Sequence, residues 1–342
     1  MTERFSNPTL ADVARHAGVS TATVSRTLNL PDHVSPQTRD RVNDAILALG
    51  YTPNYSARAL ASNRTNTVGA VIPTIDNAIF SRGIQAFQEE LAHSGVTLLI
   101  ASSGYEPERE EEQIRNLVAR GVDGILLIGT HRRPAIYSFL QDRGIPYVLT
   151  WCIDDTGHPF VGFDNWQAAK TLTARILALG HRKIAMIAGH SDQNDRSANR
   201  IEGVRTALTE AGLDRNRLMV LERAYTLTDG GQALEEIVAS DPDITAVICG
   251  NDVLAAGAVL AAHQLKLNVP GDISITGFDD IELATTISPA LTTIHVPHRR
   301  MGCGAAQKLL ALRDALTTEA RGTILEVEIV ERESLGLPRT AL

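Results

Sequence analysis

Aromatic residues are scarce, 4 % of 342 residues, so an aromatic at an element boundary carries unusual weight. Cysteine is scarcer still. Cys152, Cys249 and Cys303 are odd in number and far apart, which excludes a disulfide framework, offers no metal-ligand spacing and fits reduced thiols. No apolar run approaches the length of a membrane span, and the N-terminus lacks a basic flank followed by an apolar stretch. Neither a span nor a leader is expected, and the protein is expected in the cytoplasm. Positive charge is in deficit, with 32 Lys and Arg against 40 Asp and Glu and a net charge of −8. That balance, taken alone, argues against a nucleic-acid partner. Hydrophobic content of 44 % with 21 % charged residues is ordinary globular composition, and the length suffices for two or three domains with full cores.

The deficit is uneven. Residues 1–65 hold seven arginines (Arg4, Arg15, Arg26, Arg39, Arg41, Arg58, Arg64) against five acids (Glu3, Asp12, Asp32, Asp40, Asp44), so this end is +2 and the rest carries −10. A weakly basic head on an acidic body suits a DNA reader joined to a sensing domain.

The head is patterned for that role. Leu10, Val13, Ala14 and Ala17 give one short helix a single apolar face. Gly18 permits the tight or left-handed turn that ends it, and Val19 plugs the corner. Ser20 is a good N-cap for a second helix, in which Val24 and Leu28 point back at the first. Thr21, Ala22, Ser25, Arg26 and Asn29 are left facing outward, small hydrogen-bonding groups and one Arg. Two helices across a Gly turn form a helix-turn-helix, the second offered to the major groove. Any αα-hairpin shares the spacing, but not a face kept so small and polar. Ser35 caps a third helix with Pro36 at its first position. Val42, Ile46 and Leu49 form its inner stripe, and Gly50 closes it.

Residues 9–62 resemble the headpiece of the lactose/galactose repressor family, through "TLADVARHAGVSTATVSRTLN", "VSPQTRDRV" and "GYTPNYSARALAS". The remaining chain resembles the same family to its C-terminus. The resemblance implies DNA contacts from Thr9, Ser20, Thr21, Ala22, Thr23, Ser25, Arg26, Asn29, Tyr51, Asn54 and Leu60. Read alone, residues 55–65 are a linker whose one helical stretch is too short to hold in water. The family likeness makes them a hinge helix that folds on DNA, pairs with its dimer mate and wedges Leu60 into the minor groove.

From residue 67 strands and helices alternate, and the cycle restarts near 166. Repeated βα units with apolar strands predict doubly wound parallel sheets in two lobes, with a ligand between them at the strands' C-terminal ends. Likeness to periplasmic sugar-binding proteins implies three crossings between lobes. Lobe one is then about 66–164 plus 296–325, and lobe two about 165–293 plus 327–340. The expected fold is an all-α headpiece (1–54), a hinge (55–65) and a two-lobed α/β periplasmic-binding-protein-like core (66–342).

Asn251, Asp252, Asp279 and Asp280 follow strands of lobe two, and Arg196 and Arg200 flank a helix start predicted near 198. By family motif, Asn251, Asp279 and Arg200 match effector-contacting positions, and Tyr225 matches an aromatic that stacks on the ligand. Arg, Asn and Asp together suit vicinal hydroxyls. Lobe one should add Asn77, Ile79, Phe80 and Trp151, with core packing a live alternative for Phe80. Thr150 and Asn194 stand where the purine-sensing member has Asp and Arg, which argues against a purine. The phrase "VGFDN", with Arg196 and His190, resembles gluconate sensing and implies a sugar acid.

Other signals carry less. Gly302-Cys-Gly304 lacks the third glycine of a dinucleotide fingerprint and reads as close helix packing. His295 and His298 have no third ligand nearby in sequence, so no metal is expected. No phosphate loop, Gly-x-Ser-x-Gly or catalytic pair emerges, so neither a cofactor nor an enzyme is expected. Residues 1–62 argue against a transport protein. The expected function is a homodimeric regulator, chiefly a repressor, that binds pseudo-palindromic double-stranded operator DNA under control of a small sugar or sugar acid. A nucleoside-sensing regulator or an activator is the alternative.

Overall fold

The structure, a computed structural model, describes residues 8–52, 64–76, 78–315 and 322–339. It divides into two units, Met1–Thr65 and Asn66–Leu342. Asn54, Leu60, Asn77 and most of the expected hinge lie outside the described residues.

In the first unit, α1 (Leu10–Ala17), α2 (Thr21–Asn29) and α3 (Pro36–Leu49) enclose Val13, Ala14, Ala17, Val24, Val42 and Ala45. Local chemistry sets the ends. Thr9 and Asp12 form a reciprocal capping box, with the Thr9 backbone N–H donating to the Asp12 carboxylate at 2.9 Å. Gly18 takes φ 66° and lets Val19 N–H reach the Ala14 carbonyl, which turns the chain sharply into α2. Ser20 Oγ accepts the Thr23 N–H at 3.1 Å. The inner stripe of α3 holds the expected Val42, Ile46 and Leu49 and adds Ala45. Val42 and Ala45 are fully buried, while Ile46 and Leu49 are half-buried at its margin. Ser35 stands at the N-cap, yet its hydroxyl donates to Thr38 Oγ1 and makes no cap bond.

The second unit is the two-lobed α/β core. Its first sheet joins β1 (Thr67–Ile72), β2 (Thr97–Ser102), β3 (Ile125–Ile128), β4 (Tyr147–Thr150), β5 (Phe160–Gly162) and β11 (Thr323–Ile324), in the order β11-β5-β4-β3-β1-β2 and parallel throughout. The second joins β6 (Ile184–Gly189), β7 (Met219–Arg223), β8 (Ala246–Cys249) and β9 (Ser274–Thr276), in the order β7-β6-β8-β9, also parallel. An antiparallel pair, β10 (Thr293–His295) with β12 (Glu328–Val330), stands where the chain crosses between the lobes. The fully buried strands read as unbroken apolar runs, as parallel sheets covered on both faces require.

Helices α4 (Ala78–His93), α5 (Pro107–Ala119), α6 (Pro134–Asp142) and α7 (Asn165–Ala178) follow β1, β2, β3 and β5. Then α8 (Asp195–Glu210), α9 (Leu227–Ser240), α10 (Asp252–Gln264), the short α11 (Leu283–Thr286) and α12 (His298–Arg313) follow the later strands. A Cβ on Gly302 would run into the Gly83 carbonyl, so α12 lies backbone to backbone on α4. That is the packing role read from the sequence.

Candidate functional site

Two candidate sites lie in separate units. On the head, Thr21, Ala22 and Arg26 are exposed along α2, and Thr23 and Ser25 are half-buried. Ser20 Oγ and Thr23 Oγ1 lie 2.9 Å apart and share a hydrogen bond, so these two serve the cap. Thr9 is likewise engaged by its capping box, and Tyr51 is buried against the head core. Thr27 is buried because its hydroxyl donates to the Thr23 carbonyl at 2.9 Å, leaving only a methyl inward. The Asn29 side chain lies outside what the structure describes.

The second site is the cleft of the core. A chamber of about 20 Å³ is lined by Ile79, Phe80, Tyr105, Trp151, Asn194, Arg196, Arg200, Tyr225 and Asp279. The structure thus brings together seven residues expected from the sequence and adds Tyr105 and Asn194. Beyond Tyr105, Asn194 and Tyr225 the cleft widens to about 540 Å³, with Thr74, Asp76, His190, Asp192 and Arg223 among its walls.

Each side chain is placed by its strand end. Arg200, on α8, is buried. Its Nε donates to Asn165 Oδ1 at 2.8 Å, its Nη1 to the Gly250 carbonyl, and its guanidinium stacks on Phe278 at 3.7 Å. Its Nη2 approaches Asp279 Oδ1 at 3.8 Å, an ion-pair contact without a hydrogen bond. Asp279 follows β9 with φ 105° and is fully buried, with both carboxylate oxygens lacking a hydrogen-bond partner. Burial pushes its pKa up to about 6 against the pull of Arg200 and Arg196. Asn251 does not line the chamber. Its Oδ1 caps α10 at Leu254 N–H (2.8 Å), and its Nδ2 is buried without a partner. Asp252 is spent on Thr293 Oγ1 and Ile281 N–H, and Asp280 on Arg332 and His295.

Trp151 follows β4 with φ 59°, 1 % exposed, and meets Phe80 edge-on with ring centroids 5.3 Å apart. Tyr225 lies flat against Gly189, where no side chain would fit, and accepts from Asn194 Nδ2 at 3.2 Å. Tyr105 faces it from the other lobe with centroids 5.9 Å apart. Helix α8 begins at Asp195, three residues earlier than expected, because Asn194 caps it. That puts Asp195 at the lobe junction, where one oxygen accepts from Thr130 N–H (2.9 Å) and Thr130 Oγ1 (3.0 Å), and the other from Arg196 (2.8 Å). Burial would raise Asp195, but Arg196 and the Thr130 donors outweigh it and hold its pKa below the ordinary value. Tyr105 carries the signal that marked Trp151 and Tyr225, a scarce aromatic just past a strand end. Asp195 carries none, because its partner is 65 residues away in sequence.

Among the described residues no group of three or more His, Cys, Asp or Glu could hold a metal, and no helix is long and apolar enough to cross a membrane. His295 pairs with Asp280, and His298 Nε2 donates to the Asp279 carbonyl at 3.2 Å.

Comparison with known proteins agrees with both units. Residues 9–54 match the family described as bacterial regulatory proteins, lacI family, and residues 65–332 match periplasmic binding proteins and the sugar binding domain of the LacI family. The HTH-type transcriptional regulator GntR of Pseudomonas aeruginosa is 35 % identical over 337 residues, 97 % of each chain. The lac repressor dimer bound to operator and an anti-inducer superposes with TM-score 0.85 at 26 % identity, covering 97 % of this chain and all of that one. A complex of the transcriptional regulator CelR with cellobiose gives TM-score 0.71 at 31 % identity, covering 96 % and 99 %. The chain is a member of the LacI family of bacterial regulatory proteins, a helix-turn-helix DNA-binding transcriptional regulator with a periplasmic-binding-protein-like core.

Proposed function

We propose that the chain acts as a homodimeric repressor whose affinity for pseudo-palindromic operator DNA is set by a sugar or sugar acid in the cleft. The observation that carries the effector half is Asp279, a buried carboxylate facing Arg200, with no hydrogen bond to either oxygen, among aromatic walls. Two acceptors side by side at the end of a strand suit a vicinal diol. The lac repressor bound to operator and CelR bound to cellobiose support the same pairing of partners. We propose the boundaries 1–54 for the headpiece, 55–65 for the hinge and 66–342 for the core. The purine alternative has less support. Thr150 spends its hydroxyl on the Leu127 carbonyl, and Asn194 spends its amide on Tyr225 and the α8 cap. A catalytic role has no support from the relatives, which are regulators. The test is a thermal-shift screen against sugars, sugar acids and nucleosides, with gel shifts on selected operator DNA. A ligand that binds the native state raises Tm by mass action. A nucleoside as the sole hit would reverse the assignment.

Arg26 reads a base edge, guanine by preference, because its bidentate fork suits the two major-groove acceptors of that base and its neighbours on α2 are short. Arg26→Ala is expected to cost roughly 1–3 kcal/mol on operator and to relax preference at one position per half-site. Equal losses on operator and random DNA at fixed salt would make it a phosphate contact instead.

Effector binding should depend on pH through Asp279. Accepting two hydroxyls requires the carboxylate, and in the empty site it holds its proton up to about pH 6. Affinity is expected to fall as pH drops through 6, by about tenfold per unit at the limit. Since the folded pKa lies above the ordinary 3.8, the stability Asp279 gives the empty core is full below 3.8 and lost as pH rises through 6. Calorimetric titrations between pH 5 and 8 check this, and Asp279→Asn should flatten the profile. Burial keeps the neighbouring His298 neutral until about pH 4, so it does not titrate in that window.

A further inference from the structure

Behind the chamber wall, in contact with Asp279 and Trp151, lies a further buried polar group. His298 begins α12, just past the crossing from β10, and is 3 % exposed. Its Nε2 meets the Asp279 carbonyl at 3.2 Å. A carbonyl can only accept, so Nε2 carries the proton and Nδ1 is left with a lone pair. That Nδ1 is buried and has no partner. The imidazole lies 6.0 Å from the Trp151 ring, whose Nε1–H is also buried and unpartnered. Gly83 of α4 fits beneath both, since a Cβ there would strike the Trp151 ring and come within 3.4 Å of the His298 carbonyl.

These are not scattered defects. His298 is bonded to Asp279 and packed beside Trp151, and Asp279 and Trp151 both line the chamber. A buried polar atom without a partner is costly, and a phenylalanine in place of His298 would fill the same space without a bare lone pair. The group is therefore explained by what it meets when the site fills. Three acceptor positions, the two Asp279 oxygens and His298 Nδ1, call for hydroxyl donors. The Trp151 N–H calls for one acceptor oxygen.

We propose that His298 contacts the effector, its Nδ1 accepting a third hydroxyl beyond the two held by Asp279, while Trp151 Nε1 donates to an acceptor oxygen of the same molecule. The deep end of the effector is then a run of adjacent hydroxyls, as on an aldose or the polyol chain of a sugar acid. This rests on the effector reading above and names the residues that set its specificity.

The test uses the full chain. D-glucose, D-galactose, D-ribose and D-gluconate are titrated first, and the tightest is compared with its monodeoxy analogues in the parent, His298→Phe and His298→Asn. In the parent, one deoxy position should lose about tenfold in affinity through Nδ1, in addition to those read by Asp279. In His298→Phe, the full sugar should be weaker by a similar factor, and that one analogue should show no further loss. His298→Asn places an acceptor oxygen near the Nδ1 position and should restore part of the discrimination. This coupling separates a ligand contact from a structural role, which would weaken every analogue alike. If His298→Phe does not fold, the parent scan and His298→Asn still decide. Uniform losses, or discrimination unchanged in His298→Asn and absent from the parent beyond two hydroxyls, would overturn the assignment and leave the sugar reading standing. Failure of all four sugars to bind the parent would overturn both.

Discussion

Arg200→Ala is expected to destabilise the core by roughly 3–5 kcal/mol, the usual cost of leaving a buried charge without its partner. The side chains of Arg200 and Asp279 are only 7 % and 0 % exposed, so solvent screening softens the loss little. The guanidinium also satisfies Asn165 Oδ1 and the Gly250 carbonyl and covers the Phe278 ring. Removing it orphans two acceptors and opens a void against an aromatic face. The melting temperature of the effector core should fall on the order of 10 °C. Effector affinity should fall with it, because Asp279 would lose the cation that favours its ionised form. Part of the damage is the uncompensated carboxylate, so adding Asp279→Asn should restore some stability, a coupling read from a double-mutant cycle by calorimetry. A change of only a degree or two in Arg200→Ala would mean that the arginine is held by the fold and does not hold it.

The arginine also marks where sequence reasoning ran out. Its position before a helix face at a strand end was legible, and so were Asp279, Trp151 and Tyr225, because each is defined by its own element boundary. Its partners were not legible. Asn165, Gly250 and Asp279 come from three distant segments, and only the fold shows that two of Arg200's donors are already spent inside the protein and a third nitrogen is drawn to Asp279. Asn251 misleads for a simpler reason, since a residue that opens a helix is claimed first by the cap. The head was the more readable unit because its rules are local. Thr9, Gly18, Ser20 and Gly50 set its turns through neighbours within five residues. The local expectation that failed there is the Ser35 cap, because its hydroxyl donates to Thr38 Oγ1 and takes no backbone N–H. His298 was read only against a metal site, because a lone pair that the fold leaves bare has no signature in sequence.

Asp195→Ala and Gly129→Ala are both expected to open the cleft, by different physics. Thr130 follows β3 in one lobe and Asp195 opens α8 in the other, and two hydrogen bonds of 2.9 and 3.0 Å to one carboxylate oxygen join them. Such bonds to a charged acceptor contribute about 1.5–3 kcal/mol each at best. Asp195→Ala deletes the acceptor. Gly129→Ala leaves every polar group in place but drives a Cβ into Asp195 and Arg196, at a residue whose φ of +73° already favours glycine. A ligand that binds between closed lobes must supply whatever closing energy the clasp no longer does, so effector affinity should drop about 10- to 100-fold in each variant. Trp151 provides a direct readout. It is 1 % exposed in the closed chamber, so opening should red-shift its emission and admit a soluble quencher, and saturating effector should reverse both. The two variants together remove ambiguity, because Asp195→Ala alone also frees Arg196, whereas Gly129→Ala keeps its charge. If Trp151 stays protected and affinity changes less than twofold in both, the lobes are held shut by their packing and the Asp195–Thr130 contact is incidental.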